Sequence, residues 1–246
     1  METNIIYNED CLETLKRMED NSIDLVVTSP PYNKGIHPRN GTNGFWSAYS
    51  KKIEYDSYAD ALPQDEYDQW QSKVLSECMR VIKPSGSIFY NHKEWLADGL
   101  AVFPKFVFDF PLHQTLIWDR GGSCANDPHQ FQNQNEFIFW IVKSPKETYF
   151  DKSQSGFRQT IWRVNPEHNS NHPAPFPVKL IKSIIASASP EDGVVYDPFM
   201  GSGTTAVATI QVGGGRRYLG SEISSKYLDY ANQRISIAQA ESLTLF

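Results

Sequence analysis

Residues 23–27 run directly into Thr28-Ser29-Pro30-Pro31-Tyr32. This junction restricts the fold more than any other stretch. The run is short and mostly apolar, so it reads as a buried strand. Two consecutive prolines then stop it, because neither can donate a hydrogen bond to a neighbouring strand. What is left at the strand's carboxyl end is a hydroxyl, a rigid turn with free carbonyls, and an aromatic ring. In open α/β sheets ligands bind outside those ends. A rigid acceptor beside an aromatic platform suits a flat, amine-bearing ring such as a nucleobase. A strand-ending turn with a core tyrosine is the plainer alternative, and this stretch alone does not separate the two.

The flanking sequence extends the pattern. Residues 4–7 form a short strand candidate. Asp10 is then placed to cap a helix in which Leu12, Leu15 and Met18 recur at helical spacing. Strand, helix and strand predict parallel pairing, with Asp10 and Ser29 on one edge of the sheet. For Asp10 a simple cap stands beside a ligand-binding role. Further on, helices are expected over 65–81 and 178–188, and strands over 87–91, 112–118 and 137–143. The tetrapeptide Lys83-Pro84-Ser85-Gly86 is expected to end the first of these helices.

Two segments break the alternation. Residues 33–60 are rich in Gly, Asn, Ser and Tyr without a sustained period. A loop that long is expected to cover a site, here residues 29–32. Residues 144–171 carry Lys146, Lys152, Arg158 and Arg163 beside Tyr149, Phe150, Phe157 and Trp162. Basic groups interleaved with aromatics suit a DNA-binding surface. A solvated insertion with its own small apolar cluster fits equally well. The Gly-, Asn- and Gln-rich residues 119–135 could read base edges or simply be hydrated loop.

The second informative stretch is Val194-Val195-Tyr196-Asp197-Pro198-Phe199-Met200-Gly201-Ser202-Gly203-Thr204-Thr205. It reads as a strand, an acidic residue, a Gly-x-Gly turn and a helix through Gln211. Glycines let the backbone approach a ligand, and the helix start offers unpaired N–H groups. Asp197 would repel phosphates, and the lysine of a phosphate-binding loop is missing. A carboxylate there suits an ammonium group instead. The next strand, residues 217–220, leads to Glu222, placed as an acidic residue that holds ribose hydroxyls. An ammonium, a ribose and no phosphate describe S-adenosylmethionine. A helix capped by Ser224 follows.

Other features exclude alternatives. The formal net charge of −6 argues against broad, non-specific nucleic-acid binding while allowing a local basic face. The three cysteines, Cys11, Cys78 and Cys124, form neither a zinc pattern nor a disulfide framework, so a reducing cytoplasm is expected. His168 and His172 stand beside Pro173, Pro175 and Pro177, where no helix can align them, so no metal is expected. No apolar run reaches membrane-spanning length, and Met1-Glu2-Thr3-Asn4 does not resemble a secretory signal.

Taken together, residues 197–205 resemble the cofactor motif of S-adenosylmethionine-dependent amino-methyltransferases that act on DNA. Ser29-Pro30-Pro31-Tyr32 is similar to their catalytic motif, in which Asp, Asn or Ser precedes Pro-Pro-Tyr or Pro-Pro-Phe. The catalytic motif comes first here, as in the permuted class called beta. His172-Pro173-Ala174-Pro175-Phe176-Pro177 and the residues 220–223 also resemble that class. The resemblance implies an α/β fold: a Rossmann-like, mostly parallel sheet of about seven strands with helices on both faces. Residues 1–143 would be its catalytic half, 144–171 a small inserted target-recognition region, and 172–246 its cofactor half. Asp10 and Cys11 would meet the adenine of S-adenosyl-L-methionine and Glu222 its ribose. Asp197, Gly201 and Gly203 would meet its methionine part, with Pro198, Phe199, Ser202, Thr204 and Thr205 completing the loop and Phe176 and Pro177 lining the pocket. Ser29, Pro30, Pro31 and Tyr32 would act on an exocyclic amine of a base in double-stranded DNA. Ser before Pro-Pro-Tyr favours cytosine N4 over adenine N6. A homodimer and a cognate restriction endonuclease are expectations of the family. A protein-glutamine or small-molecule methyltransferase, and a nucleotide-binding regulator without activity, are the rival readings.

Overall fold

The computed structural model describes residues 1–33, 62–97, 100–122, 129, 131–167 and 176–243. The cover expected over 33–60 therefore lies, apart from Asn33, outside the described residues, as do His168 and His172.

The strands are β1 (Ile5–Tyr7), β2 (Ile23–Thr28), β3 (Ile82–His92), β4 (Trp95–Ala97), β5 (Leu100–Val102), β6 (Leu112–Asp119), β7 (Asn135–Val142), β8 (Ile161–Arg163), β9 (Val194–Asp197) and β10 (Arg217–Ser221). The helices are α1 (Cys11–Arg17), α2 (Gln64–Val81), α3 (Val178–Ala188), α4 (Thr204–Val212) and α5 (Ser225–Leu243). Eight strands form one sheet in the order β1-β10-β9-β2-β3-β7-β6-β8, and β4 and β5 make a separate ribbon. The extra strand relative to the expected seven is β8, which arises inside the irregular 144–171 segment and pairs in parallel with the end of β6. β7 is antiparallel to both its neighbours, and every other pairing in the sheet is parallel.

β1 and β2 are parallel, as strand-helix-strand requires, yet they do not touch. β10 and β9 lie between them. The C-terminal strands thus complete the sheet begun by the N-terminal ones.

Alternation along the strands sorts side chains into two layers. Val26, Ile88, Tyr90, Phe139, Ile141 and Tyr196 join the layer under α1 and α2. Their chain neighbours Leu25, Val27, Phe89, Ile138, Trp140 and Val195 join the layer under α3. This is the period of two expected of a sheet covered on both faces. A third cluster packs α4 and α5 against β1 and β10 through Ile6, Ala206, Val207, Tyr218, Ala231 and Ile235.

The end of α2 differs from expectation. The helix stops at Val81, and Lys83-Pro84-Ser85-Gly86 lie within β3. Ile82 pairs with Ile23 and Ser87 with Leu25, so the residues between bulge outward. Pro84 is tolerated there because the bulge needs no ladder bond from it. Asp24, the one acid in the β2 run, is nearly buried and holds this bulge. Its carboxylate accepts from Lys83 Nζ at 2.8 and 2.9 Å and from the Val194 N–H at 2.9 Å.

Candidate active site

Because the strands are mostly parallel, the carboxyl ends of β1, β10, β9, β2, β3, β6 and β8 share one rim. β7 runs the other way, so its first residues reach the same rim. Reading across it gives Asp10, Glu222, Asp197, Ser29, Asn91, Glu136 and Arg120 in turn.

Asp197 and the catalytic strand are joined directly. Thr28 Oγ1 donates to Asp197 Oδ1 at 2.7 Å, and Thr205 Oγ1 donates to Oδ2 at 2.6 Å. The Phe199 N–H adds a third bond at 3.0 Å. Asp197 is 3% exposed, and burial pushes its carboxyl up to about 6 against the three hydrogen bonds that favour the ion. The sequence reading gave Asp197 to an ammonium group. Here its oxygens are first of all a bracket between β9, β2 and α4, and any ligand group would add to that set.

Glu222 follows β10. Its Oε2 accepts from the Gly201 N–H at 2.7 Å and its Oε1 from the Ser224 N–H at 2.8 Å. Burial raises its carboxyl above the ordinary range. Each oxygen keeps a further lone pair, which suits vicinal hydroxyls. Asn8 Nδ2 donates to the Glu222 carbonyl at 2.7 Å, which ties the end of β1 to this turn.

The glycine turn ends in α4 without a side-chain cap. Gly201 and Gly203 have φ of 52° and 78°. A Cβ on Gly203 would lie 2.8 Å from the Ala231 Cβ, so α5 can approach only because this residue is glycine. Arg234 of α5 holds the turn through the Ser202 carbonyl at 2.8 Å and Thr204 Oγ1 at 3.0 Å. Pro198, Ser202, Thr204 and Thr205 are buried, while Phe199 is half-buried with its ring edge-on to Trp70.

Asp10 caps α1, its Oδ1 accepting from the Leu12 N–H at 2.8 Å. Cys11 packs into the core, where burial pushes its thiol well up. Phe176 is half-buried near Trp118, and Pro177 starts α3.

At the Pro-Pro turn, Ser29 Oγ lies 2.8 Å from the Tyr32 hydroxyl. Tyr67 donates to the Pro31 carbonyl at 2.7 Å, so that carbonyl is engaged. The Pro30 carbonyl has no hydrogen-bond partner among the described residues. Tyr32 is 7% exposed, its ring centroid 4.8 Å from that of His92. The Lys93 ammonium lies 6.0 Å from the Tyr32 ring centroid.

Sequence reasoning missed what stands behind this turn. The Tyr32 hydroxyl donates to Glu136 Oε2 at 2.9 Å. Asn91 Nδ2 donates to the same Oε2 at 2.8 Å, and closely to the Tyr32 oxygen. Arg120 Nη1 pairs with Glu136 Oε1 at 2.9 Å. Asn91 Oδ1 is buried and unpartnered among the described residues. The available signal was a lone acid leading an all-apolar strand.

The basic candidates do not share one face. The Tyr149 N–H bonds to the Ser85 carbonyl and the Asp151 N–H to the Ser187 carbonyl, so Lys146 and Lys152 sit by the opposite rim, near the starts of the parallel strands. Arg163 ends β8 on the rim of Ser29 and pairs with Asp119 at 2.7 Å. Arg158 is exposed on the approach to β8. The neighbouring aromatics are used in packing. Trp162 is buried with Phe157 stacked on it at 4.7 Å, and Phe150 leans on Trp140 at 4.8 Å. Among the described residues no group of three or more His, Cys, Asp or Glu could hold a metal, and no helix is long and apolar enough to cross a membrane.

A solved structure titled PvuII DNA methyltransferase (cytosine-N4-specific) superimposes with a TM-score of 0.75, covering 99% of this chain and 94% of that one at 20% identity. A DNA modification methylase of Thermus thermophilus, TTHA0409, complexed with S-adenosyl-L-methionine, gives a TM-score of 0.64 at 22% identity over 95% of each chain. At these identities the likeness is one of fold. Type II methyltransferase M.BglII of Bacillus subtilis is 31% identical over 272 residues, spanning 95% of this chain and 69% of its own. A family model described as DNA methylase, N6_N4_Mtase, matches residues 23–233, from the start of the catalytic strand to within α5. The chain therefore belongs to the N6/N4 DNA methylase family.

Proposed function

We propose that this enzyme methylates the exocyclic amine of a base turned out of duplex DNA, with S-adenosyl-L-methionine as donor and cytosine N4 as acceptor. The observation that carries the reading is the 2.7 Å bond between Thr28 and Asp197, which sets the Ser-Pro-Pro-Tyr turn beside the glycine turn in one cleft. The order of these motifs along the chain supports assignment to the permuted beta class.

The donor set around the glycine turn fits this cofactor. Glu222 has lone pairs for a ribose diol, α4 begins with uncapped N–H groups, and Asp197 and Glu222 give the pocket a negative field for a cation. When bound, S-adenosylmethionine supplies an electrophilic methyl on a sulfonium. The protein's part is to prepare the nucleophile. An arylamine is a poor one because its lone pair is delocalised into the ring. Accepting its N–H bonds at Ser29 Oγ and the Pro30 carbonyl favours a tetrahedral nitrogen and frees that pair. Positioning of this kind accounts for much of an enzymatic rate gain. Tyr32 offers a ring beside which the extruded base can lie, since a target inside the stack is out of reach. Arg163 is the basic candidate placed on the cleft's rim, where it can meet a phosphate.

Nucleoside mass spectrometry of DNA incubated with enzyme and cofactor tests the reading. N4-methylcytosine is expected, and Ser29→Ala should lower its formation about 100-fold or more while cofactor affinity holds. N6-methyladenine is the second reading, favoured by the two-base range of the family model. Finding only that product would overturn the choice of base, and no methyl on DNA would overturn the reading itself. Similarity to a type II methyltransferase supports a place beside a restriction endonuclease.

A further inference from the structure

In the 2.8 Å contact between Ser29 Oγ and the Tyr32 hydroxyl either oxygen can donate. The choice matters. If Ser29 receives, its own proton is free to point at the substrate. If Ser29 donates to Tyr32, its lone pairs face outward. Glu136 decides between them. Its carboxylate is buried, ion-paired with Arg120 at 2.9 Å, and 2.9 Å from the Tyr32 oxygen. An ionised carboxylate can only accept. The single phenolic proton is then committed to Glu136, and Tyr32 has none left for Ser29. The Asn91 amide agrees: its Nδ2 faces Glu136 Oε2 at 2.8 Å, whereas the flipped amide would set one acceptor against another.

We propose that Glu136 is a positioning residue that fixes the direction of this hydrogen-bond chain, so that Ser29 meets the substrate amine as an acceptor. It acts through the hydroxyl of Tyr32 and not through its ring. The same carboxylate holds Asn91 with its amide nitrogen toward Tyr32. Nothing is transferred along the chain; the device is one of orientation. The inference rests on the reading that Ser29 faces the amine.

Glu136→Gln tests it on the full-length enzyme with duplex DNA. An amide nitrogen turned to Tyr32 would donate, release the phenolic proton toward Ser29, and turn the serine proton toward the amine, donor against donor. The kcat is expected to fall about 10- to 100-fold. KM for DNA and the calorimetric Kd for S-adenosylmethionine are expected to stay within about twofold, the pattern of an interaction that counts in the transition state. Tyr32→Phe keeps the ring and should show the same loss. The double variant should be no slower than the slower single, because both changes cut one chain. A Glu136→Gln enzyme with wild-type kcat, or losses that multiply in the double variant, would overturn the proposal. If Glu136→Gln does not bind cofactor, and so is misfolded, Tyr32→Phe decides alone: wild-type kcat there also overturns it. A wild-type enzyme that leaves DNA unmethylated would instead remove the functional reading beneath it.

Discussion

At neutral pH the Asp197 carboxylate is ionised inside the protein, held by two threonine hydroxyls and one N–H. Burial outweighs those bonds and pushes the group up to about 6 from 3.8. Between pH 4 and 6 the unfolded chain gives up this proton before the folded one does. Stability should therefore fall as pH rises through that window, by about 3 kcal/mol from this residue. Asp197→Asn should lack that component. Urea titrations of both proteins at several pH values check it, and parallel profiles would refute it. The same residue shows what a sequence can disclose. An acid before Gly-x-Gly at a strand end was legible because it breaks the phosphate-loop pattern within a few residues. Its bond to Thr28, 169 positions away, was not. Glu136 and Asn91 were illegible for the same reason: their meaning lies in strands β3 and β7 meeting, and only pairing direction brings them to Ser29.

Among elements, the approach of α5 to α4 depends on one backbone position. Gly203 has a left-handed conformation and no room for a Cβ beside Ala231. Gly203→Ala is expected to cost about 1–3 kcal/mol through strain and overpacking, and to weaken cofactor binding because the turn must shift. A shift in the denaturant midpoint together with calorimetry would measure both; an unchanged midpoint would show that α5 yields. The elements also explain why residues 144–171 were hard to read. Helix α3 matches its expected 178–188 bounds because Leu180, Ile181, Ile184, Ile185 and Ala188 give an unbroken stripe. β8 has three residues, too few for a period, and is held by Trp162 packing into the sheet's own core. The basic residues around it are split between two rims, which spacing along the chain cannot reveal.

For the molecule as a whole, the order β1-β10-β9-β2 interleaves the two halves. Residues 1–143 alone would leave β1 without a neighbour and one edge of β2 bare. Residues 144–246 alone would leave β9 without β2 and β10 without β1. Neither piece is expected to unfold cooperatively when made separately, and circular dichroism during urea titration would test this. A sharp transition in either fragment would mean that the halves are true domains. The rim of polar groups is a property of this same interleaving, since every residue in it is carried by a strand whose place is set by a distant partner. The arrangement also sets the timing of assembly. Ile5 finds its partner only at Leu219, so a nascent chain leaving the ribosome must hold its first strand unmatched until nearly all the rest has been synthesised. Closure at such sequence separation is slow and leaves sticky edges uncovered. A cell making this enzyme therefore carries, for the length of each translation, a catalytic turn with no donor pocket beside it, and the methylating cleft comes into being in one late step.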